Sequence, residues 1–307
     1  MTHTQQGRGG FAGGMGLSVL KAAAACLMGL ASMHALADDD AGSLRQKYGD
    51  LRTELRNNAF NRPLYMESAQ GDGSLQGDVY AVLDHPFSKV SQSMKEPARW
   101  CDIMMLPFST KSCRAGQGAN ASRLEVRIGR KADQPVEQAY KLNFDYRNVA
   151  ASSDYFDSRL NAPSGPLGTR DYRINMTAIP IDGNRTFMHL SYAYGYGSAG
   201  QFAMQAYLAT VGAKKVGFSS TGRDANGQPQ YVNGVRGAIE RNAMRYYLAI
   251  DAYLEALDAP PAQQVDKRIQ AWINGVERYP RQLHEMEPGA YVAMKRQEYQ
   301  QQTAALQ

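Results

Sequence analysis

The chain has 307 residues, of which 43% are hydrophobic and 21% are charged, and it carries a formal net charge of +5. A chain of this length can bury a substantial core, either as one large domain or as one domain with an appendage. Charges of both signs are interspersed without a run of lysine or arginine, so we expect no nucleic-acid partner.

The first 37 residues have the layout of a secretory signal peptide. Arg8 and Lys21 supply positive charge, residues 22–36 form an apolar run too short to span a bilayer comfortably, and an Ala-Leu-Ala cleavage site ends at Ala37. We therefore predict cleavage near Ala37 and a periplasmic or secreted protein of residues 38–307. The net charge of the exported chain would be +3 rather than +5, because Arg8 and Lys21 leave with the signal peptide. No later segment is apolar enough to cross a membrane.

The signal peptide places the cysteines in an oxidising compartment. Cys26 leaves with the signal; the Ala-Ala-Ala before it resembles a lipoprotein acceptor site, but it lacks a larger aliphatic residue and fits less well than the downstream cleavage site. Cys101 and Cys113 remain and most simply form a disulfide, which would stabilise the fold by roughly 3 kcal/mol. A redox site or half of a metal site is the alternative. There is no Cys-x-x-Cys motif and His85 is the only histidine nearby in sequence, so we expect no metal and no cofactor.

The exported chain begins with apolar residues at helical spacing and continues with segments in which apolar and polar residues alternate. Ser43–Asn58 has apolar residues at helical spacing, which predicts a helix within an N-terminal segment of residues 38–63. From Leu64 the apolar period changes to two, which is typical of antiparallel strands with one buried face. The predicted strands, in chain order, are 64–69, 78–84, 123–128, 140–147, 155–162, 171–178 and 186–196.

Helices are predicted between and after these strands. The stretch 107–121 is predicted as a loop that carries Cys113, and a small hairpin is predicted within 216–232. Residues 237–258 form the strongest helical stripe of the chain. The predicted helices, in chain order, are 87–94, 98–105, about 201–212 and 237–258, followed by a polar helical extension over 259–307.

This order of elements resembles the helix-grip fold of the START/Bet v1-like superfamily, which includes polyketide cyclase-like proteins. Residues 77–87 (Gly-Asp-Val-Tyr-Ala-Val-Leu-Asp-His-Pro-Phe) look like the first strand of that family running into its first helix, where a proline often follows the strand. Phe87–Trp100 looks like the helix that leads into the family's W region. The resemblance covers about Asp78–Asp258.

The resemblance implies an α+β fold, in which a curved antiparallel β-sheet grips a long C-terminal helix within a domain of residues 64–258. It also implies a hydrophobic cavity between the sheet and that helix. The chain departs from the family pattern in three places: an additional strand at Leu64, the long segment Ser198–Arg236 before the long helix, and the C-terminal helices.

A row of tyrosines on the last strand is the first candidate site. Tyr192, Tyr194 and Tyr196 share a face with Met188 and Leu190, so alternation predicts that they point inward. A tyrosine combines an apolar ring with a polar tip, which suits a cavity for an amphipathic ligand. The alternative is that these rings only pack the core or its rim.

Other residues complete the predicted binding site. Tyr172 lies on the inward face of its strand, and Tyr246 or Tyr247 is expected across from the tyrosine row. Arg241 and Arg245, one helical turn apart, could clamp an anionic head group. The alternative for the two arginines is a solvated face or structural salt bridges.

No catalytic residue is assigned from the sequence. His85, His189 and His284 are widely scattered, and Asp84–His85 reads more simply as the end of a strand than as a general base. The chain contains no GxSxG, P-loop or dinucleotide-binding fingerprint.

We therefore predict an exported carrier or sensor for a hydrophobic or amphipathic small molecule, with lipid among the candidates. A cavity enzyme of cyclase or hydrolase type is the second interpretation. It would require a histidine or carboxylate among the tyrosines. A structural envelope-interaction protein is the third, and it would have a filled core and an exposed apolar patch around Trp272 and Ile273. A transient contact with a membrane surface is left open, and the sequence does not specify an oligomeric state.

Overall fold

The computed structural model describes residues 40–129, 134–209, 212 and 215–304. The chain divides into two compact units, Met1–Ser43 and Leu44–Gln307. In the first unit only residues 40–43 are described, and they are helical. The predicted signal peptide, its cleavage site at Ala37 and Cys26 therefore lie outside the described residues. Within the described part of the chain, no helix is long and apolar enough to cross a membrane.

An antiparallel sheet of eight strands forms the centre of the second unit. Its order is β1-β2-β8-β7-β6-β5-β4-β3, and every neighbouring pair is antiparallel. Alternation divides each long strand between two faces, and Met176 and Leu190 on the inner face are fully buried. The strands are β1 Leu64–Gly71, β2 Ser74–Leu83, β3 Thr110–Ala115, β4 Arg123–Ile128, β5 Tyr140–Ala151, β6 Phe156–Ser164, β7 Thr169–Pro180 and β8 Thr186–Tyr196.

Strand β3 lies where the sequence predicted a loop, so that prediction is wrong. Alternation failed to show it because both faces of this edge strand are covered, and Thr110, Lys111, Ser112 and Cys113 are all buried. A strand that is buried on both faces does not show the alternation of polar and apolar residues. The residues of β3 are also too polar to match the continuous apolar run that is typical of a buried strand.

Helices cover the inner face of the sheet. The long helix α6 lies against β2, where Gly77 allows close approach: a Cβ there would meet the carbonyl oxygen of Ile239 at 3.2 Å. Residues 40–50 form α1. The other helices up to the long one are α2 Arg52–Arg56, α3 Phe87–Ser93, α4 Pro97–Met104, α5 Ser198–Ala209 and α6 Gly234–Ala256, with a two-stranded hairpin of β9 Ser220–Arg223 and β10 Pro229–Tyr231 before α6.

The N-terminal helical residues of the second unit pack on the outer face of the sheet. The rings of Tyr48 and Phe187 lie 5.0 Å apart, and the Lys47 ammonium lies 4.7 Å from the ring centroid of Tyr80. Phe187 and Tyr80 both project outward from the sheet, so this helix covers part of a face that would otherwise meet solvent.

The C-terminal extension packs onto the rest of the chain. It consists of α7 Pro261–Val276, α8 Pro280–Leu283 and α9 Pro288–Ala304. Trp272 and Ile273 are fully buried, so the exposed apolar patch expected by the third functional interpretation is absent. The apolar stripe of α7 instead packs within the chain, on α6.

The predicted disulfide is present. Cys101 in α4 and Cys113 in β3 are bonded, with their Cα atoms 5.1 Å apart. The bond links the helix and the edge strand against which α9 packs, since the Tyr299 hydroxyl donates to the carbonyl of Asp102 and the Gln302 side chain accepts from the amide of Cys113.

The architecture confirms the predicted fold class. After β1, the chain runs through one strand (β2), two helices (α3 and α4) and six strands (β3–β8), and it reaches the long helix α6 after α5 and the hairpin. The first of these strands in the sheet, β2, pairs with the last, β8. The curved sheet holds α6 on its inner face, which is the predicted helix-grip arrangement.

Candidate functional site

A cavity of about 400 Å³ lies between the inner face of the sheet and the long helix. This volume is within the range of small-molecule sites, which is roughly 300–1,000 Å³. Strands β4, β5, β7 and β8 form one wall, α6 forms another, and the α4–β3 connection closes one side. The lining residues are Pro107, Phe108, Ser109, Val126, Ile128, Gly129, Leu142, Phe144, Pro166, Tyr172, Tyr192, Asn242, Arg245, Tyr246 and Glu285.

Three of the predicted tyrosines meet at this cavity. The rings of Tyr192 on β8 and Tyr246 on α6 lie 5.2 Å apart, so they face each other across the space between sheet and helix. Tyr172 on β7 lies 6.4 Å from Tyr192, and its hydroxyl donates to Thr169. Strand alternation carries Tyr172 and Tyr192 to the inner face, and helical periodicity turns Tyr246 toward them.

The hydroxyl groups of these tyrosines are neutral. Burial raises the pKa of Tyr192 well above its ordinary value, with further contributions from Tyr246 and Tyr172. Burial raises the pKa of Tyr246 and of Tyr172 as well. Among the described residues, neither Tyr192 nor Tyr246 has a hydrogen-bond partner for its hydroxyl. Each can therefore donate to, or accept from, a polar group that enters the cavity.

Tyr194 and Tyr196 do not line the described cavity. Tyr194 stacks on the ring of Tyr172 at 5.2 Å, and its hydroxyl lies 4.0 Å from the Met204 sulfur on α5. Tyr196, half-buried, ends the strand. Tyr194 thus packs against the ring of Tyr172 without lining the cavity, and Tyr196 lies at the end of β8.

The two arginines have different surroundings. Arg245 lines the cavity, where its Nη2 donates to Glu285 Oε1 at 2.6 Å and its Nη1 donates to Asn242 Oδ1 at 3.1 Å. Arg241 is buried outside the lining and donates to the carbonyl of Val216 at 3.3 Å. Arg245 therefore forms the predicted alternative of a salt bridge and also lines the cavity, whereas Arg241 is buried beneath the segment before β9.

A second cation lies beside this ion pair. The Nζ atom of Lys215 is 3.5 Å from Glu285 Oε1, and it also donates to the carbonyl of His284. Burial lowers the pKa of Lys215, which Glu285 raises and Arg245 lowers. Two cations thus share one carboxylate at this end of the cavity.

Sequence reasoning missed Glu285, Asn242 and the connection that carries Phe108. Glu285 lies in the C-terminal extension, which has no counterpart in the pattern that predicted the cavity. Asn242 could have been found, since it is three residues before Arg245 and so on the same helical face. Phe108 follows α4 in a segment without periodicity, and no sequence signal indicated its position.

The described lining residues include no histidine. His189 lies on the outer face of the sheet, where its Nε2 is 2.9 Å from Asp78 Oδ1, and His284 pairs with Glu277 at 3.0 Å. Among the described residues, no group of three or more His, Cys, Asp or Glu side chains could hold a metal ion. In this part of the chain the cavity therefore offers hydroxyl, amide and guanidinium groups and one paired carboxylate.

No family model matches the chain, and no curated protein matches it. Among solved structures, the chain is similar to a conserved protein from Geobacillus kaustophilus (12% identity, 59% of this chain and 95% of that one, TM-score 0.36). It is also similar to a START superfamily protein from Mycobacterium smegmatis (9% identity, 44% and 88%, TM-score 0.29). A third is the Zhui aromatase/cyclase from Streptomyces sp. R1128 (10% identity, 70% and 96%, TM-score 0.31). At these values the likeness carries no argument about function, and the fold assignment rests on the strand order and the enclosed helix.

Proposed function

We propose that this protein is an exported binding protein, a carrier or sensor, for a hydrophobic or amphipathic small molecule. The observation that carries the proposal is the cavity between sheet and α6. Its wall combines apolar side chains such as Leu142 and Phe144 with the neutral hydroxyls of Tyr192 and Tyr246. Such a lining favours a ligand with an apolar body and few polar groups. Lipids are among the candidates.

The same wall favours binding over catalysis. The described lining offers no histidine as a general base, and its carboxylate, Glu285, is held by Arg245 at 2.6 Å. A cyclase or hydrolase would need a group free to move protons at the reacting atoms. The carrier or sensor interpretation is therefore our conclusion, ahead of a cavity enzyme.

Export completes the proposal. The sequence of residues 1–37 has the layout of a signal peptide, and a disulfide between Cys101 and Cys113 suits an oxidising compartment. We expect the exported chain to begin near Asp38. Mass measurement of the protein recovered from the periplasm or the medium tests this, and a chain that retains residues 1–37 in the cytoplasm would refute it.

Ligand binding is tested with the exported protein purified gently and without detergent. Native mass spectrometry should show a bound small molecule, and an apolar fluorescent probe should bind saturably and be displaced by the molecule that is released. Absence of both bound mass and saturable probe binding would refute the proposal.

A pair of substitutions localises the binding. Val126→Phe puts a larger ring into the cavity wall and should reduce probe affinity by about tenfold or more, because the ring occupies ligand volume. Val149→Phe adds the same ring at an exposed position on β5 and should leave affinity unchanged. Unfolding curves of both variants show whether each remains folded. Equal affinity in the two folded variants would place the binding site elsewhere.

A further inference from the structure

The polar end of the cavity carries an excess of positive charge. Arg245 and Lys215 both approach the same oxygen of Glu285, at 2.6 and 3.5 Å. The three side chains together carry two positive charges and one negative charge. Arg241, one turn before Arg245, contributes to the lowered pKa of Lys215, but the buried carboxylate of Glu240 directly precedes it, so this pair adds no net charge.

We propose that the ligand is an amphipath with a carboxylate or comparable anionic group, and that Arg245 binds this group in competition with Glu285. The inference rests on the proposed function, because it assigns a charge to the ligand of the same cavity. It makes Arg245 the residue that determines specificity and Glu285 its internal competitor.

The geometry of Arg245 supports this role. Its side chain is 14% exposed and lines the cavity, so its charge is largely withdrawn from water while its guanidinium faces the ligand space. A guanidinium offers two parallel N–H groups that match a carboxylate, and charge-assisted hydrogen bonds of this kind are about twice as strong as neutral ones. Asn242 accepts from Nη1 and so holds the guanidinium in place.

Glu285 is suited to being displaced. Its side chain is 30% exposed, and it comes from the connection between α8 and α9 rather than from α6 or the sheet. If a ligand carboxylate takes Arg245, the Lys215 ammonium remains as a partner for Glu285. Displacement therefore leaves Glu285 paired with Lys215. A buried charge left without a partner would cost several kcal/mol.

The body of the ligand would lie toward the aromatic part of the wall. Tyr246 follows Arg245 directly on α6 and lies across from Tyr192, and Phe144 lies on the same side of the sheet. A ligand anchored at Arg245 would thus place its apolar part among these rings, where aromatic and aliphatic bodies can both pack.

The competing interpretation is that Arg245 and Glu285 form a purely structural ion pair that fastens the C-terminal extension to α6. Three probes with one naphthalene body separate the two interpretations: naphthalene-2-carboxylate, 2-naphthylmethanol and 2-naphthylmethylammonium. They differ in charge and hardly in shape. Titration calorimetry on the exported protein, and on its variants, measures affinity for each.

We expect the carboxylate to bind about tenfold or more tightly than the alcohol, and the ammonium to bind weakest. Arg245→Gln should abolish the preference for the carboxylate over the alcohol, and Arg245→Lys should retain part of that preference. Glu285→Gln should strengthen carboxylate binding severalfold, because it removes the competitor. Arg296→Gln removes an exposed arginine–carboxylate pair between α9 and α7 and serves as the matched control.

The outcomes are distinguishable. If the carboxylate and the alcohol bind equally and Arg245→Gln changes neither, the charge assignment is wrong and the apolar cavity function stands. If Glu285→Gln weakens both probes together, the ion pair is structural and the competition is refuted. If none of the probes binds, and decanoate and decanol also fail to bind, both the inference and the proposed function fall.

Discussion

The buried carboxylate of Glu240 offers a test of how the segment before the hairpin is held on α6. Glu240 has no exposed surface. Its Oε2 accepts from the backbone amides of Phe218 and Ser219 at 2.6 and 2.9 Å, and its Oε1 accepts from the hydroxyl of Ser68 at 2.6 Å. One side chain of the long helix therefore satisfies groups from β1 and from the segment that leads into β9.

The two oxygens allow two substitutions to be compared. Glu240→Ala removes both acceptors and leaves two backbone amides without partners, each at about 1–3 kcal/mol when buried, so we expect a loss of about 2–6 kcal/mol in the free energy of unfolding. Glu240→Gln keeps one oxygen at the position that accepts from both amides, and its NH₂ group can donate to Ser68. We therefore expect a loss of about 1 kcal/mol or less.

Equilibrium urea unfolding followed by circular dichroism measures both losses, with Glu255→Ala at an exposed position of the same helix as the control. Hydrogen exchange should be faster at Phe218 and Ser219 in Glu240→Ala, and close to wild type in Glu240→Gln. Equal losses for alanine and glutamine, or a loss below about 1 kcal/mol for alanine, would show that the Glu240 carboxylate does not hold this segment.

Three further predictions concern the disulfide, a buried lysine and the tyrosines. Cys101→Ser should lower the free energy of unfolding by about 3 kcal/mol, and reduced wild-type protein should behave like the variant. Burial lowers the pKa of Lys295 to about 8, so its proton leaves the folded chain before the unfolded one. Stability should therefore rise by about 1 kcal/mol between pH 7 and pH 9, and Lys295→Met should lack that rise in urea unfolding. Tyr192→Phe should change probe affinity in a titration while Tyr194→Phe leaves it unchanged, and each should keep stability within about 1 kcal/mol. Equal effects of the two would contradict the described lining.

Periodicity predicted the elements whose two faces differ. Strand β8 alternates in residue type between apolar inner residues and outer residues such as His189 and Ser191, and it is found where it was predicted, at Thr186–Tyr196. The long helix was predicted three residues late at its start, because Gly234 starts it with a backbone conformation that no apolar stripe reveals, and two residues late at its end. Strand β3 was missed because helices and neighbouring strands cover both of its faces.

The tyrosine side of the cavity could be predicted, and its charged end could not. Alternation on a strand requires only local information, so the inward direction of Tyr192 followed from Met188 and Leu190. The partner of Arg245 is Glu285, forty residues further along the chain, and their meeting depends on how α7 and α8 fold back. No single-sequence pattern encodes such a contact, and the resemblance that suggested the cavity does not include this extension.

The extension and the cavity depend on each other. Phe108 lines the cavity, and its ring is held between Trp272 and Tyr291, at 5.1 and 5.2 Å. Trp272 also donates to the backbone carbonyl of Arg245, which fixes α7 against the helical turn that carries the guanidinium. The sheet thus supplies most of the apolar wall, while the extension supports Phe108 and supplies Glu285. A chain ending at Asp258 would expose Phe108 and remove Glu285 from Arg245, so it would lose the closed wall and the competitor together.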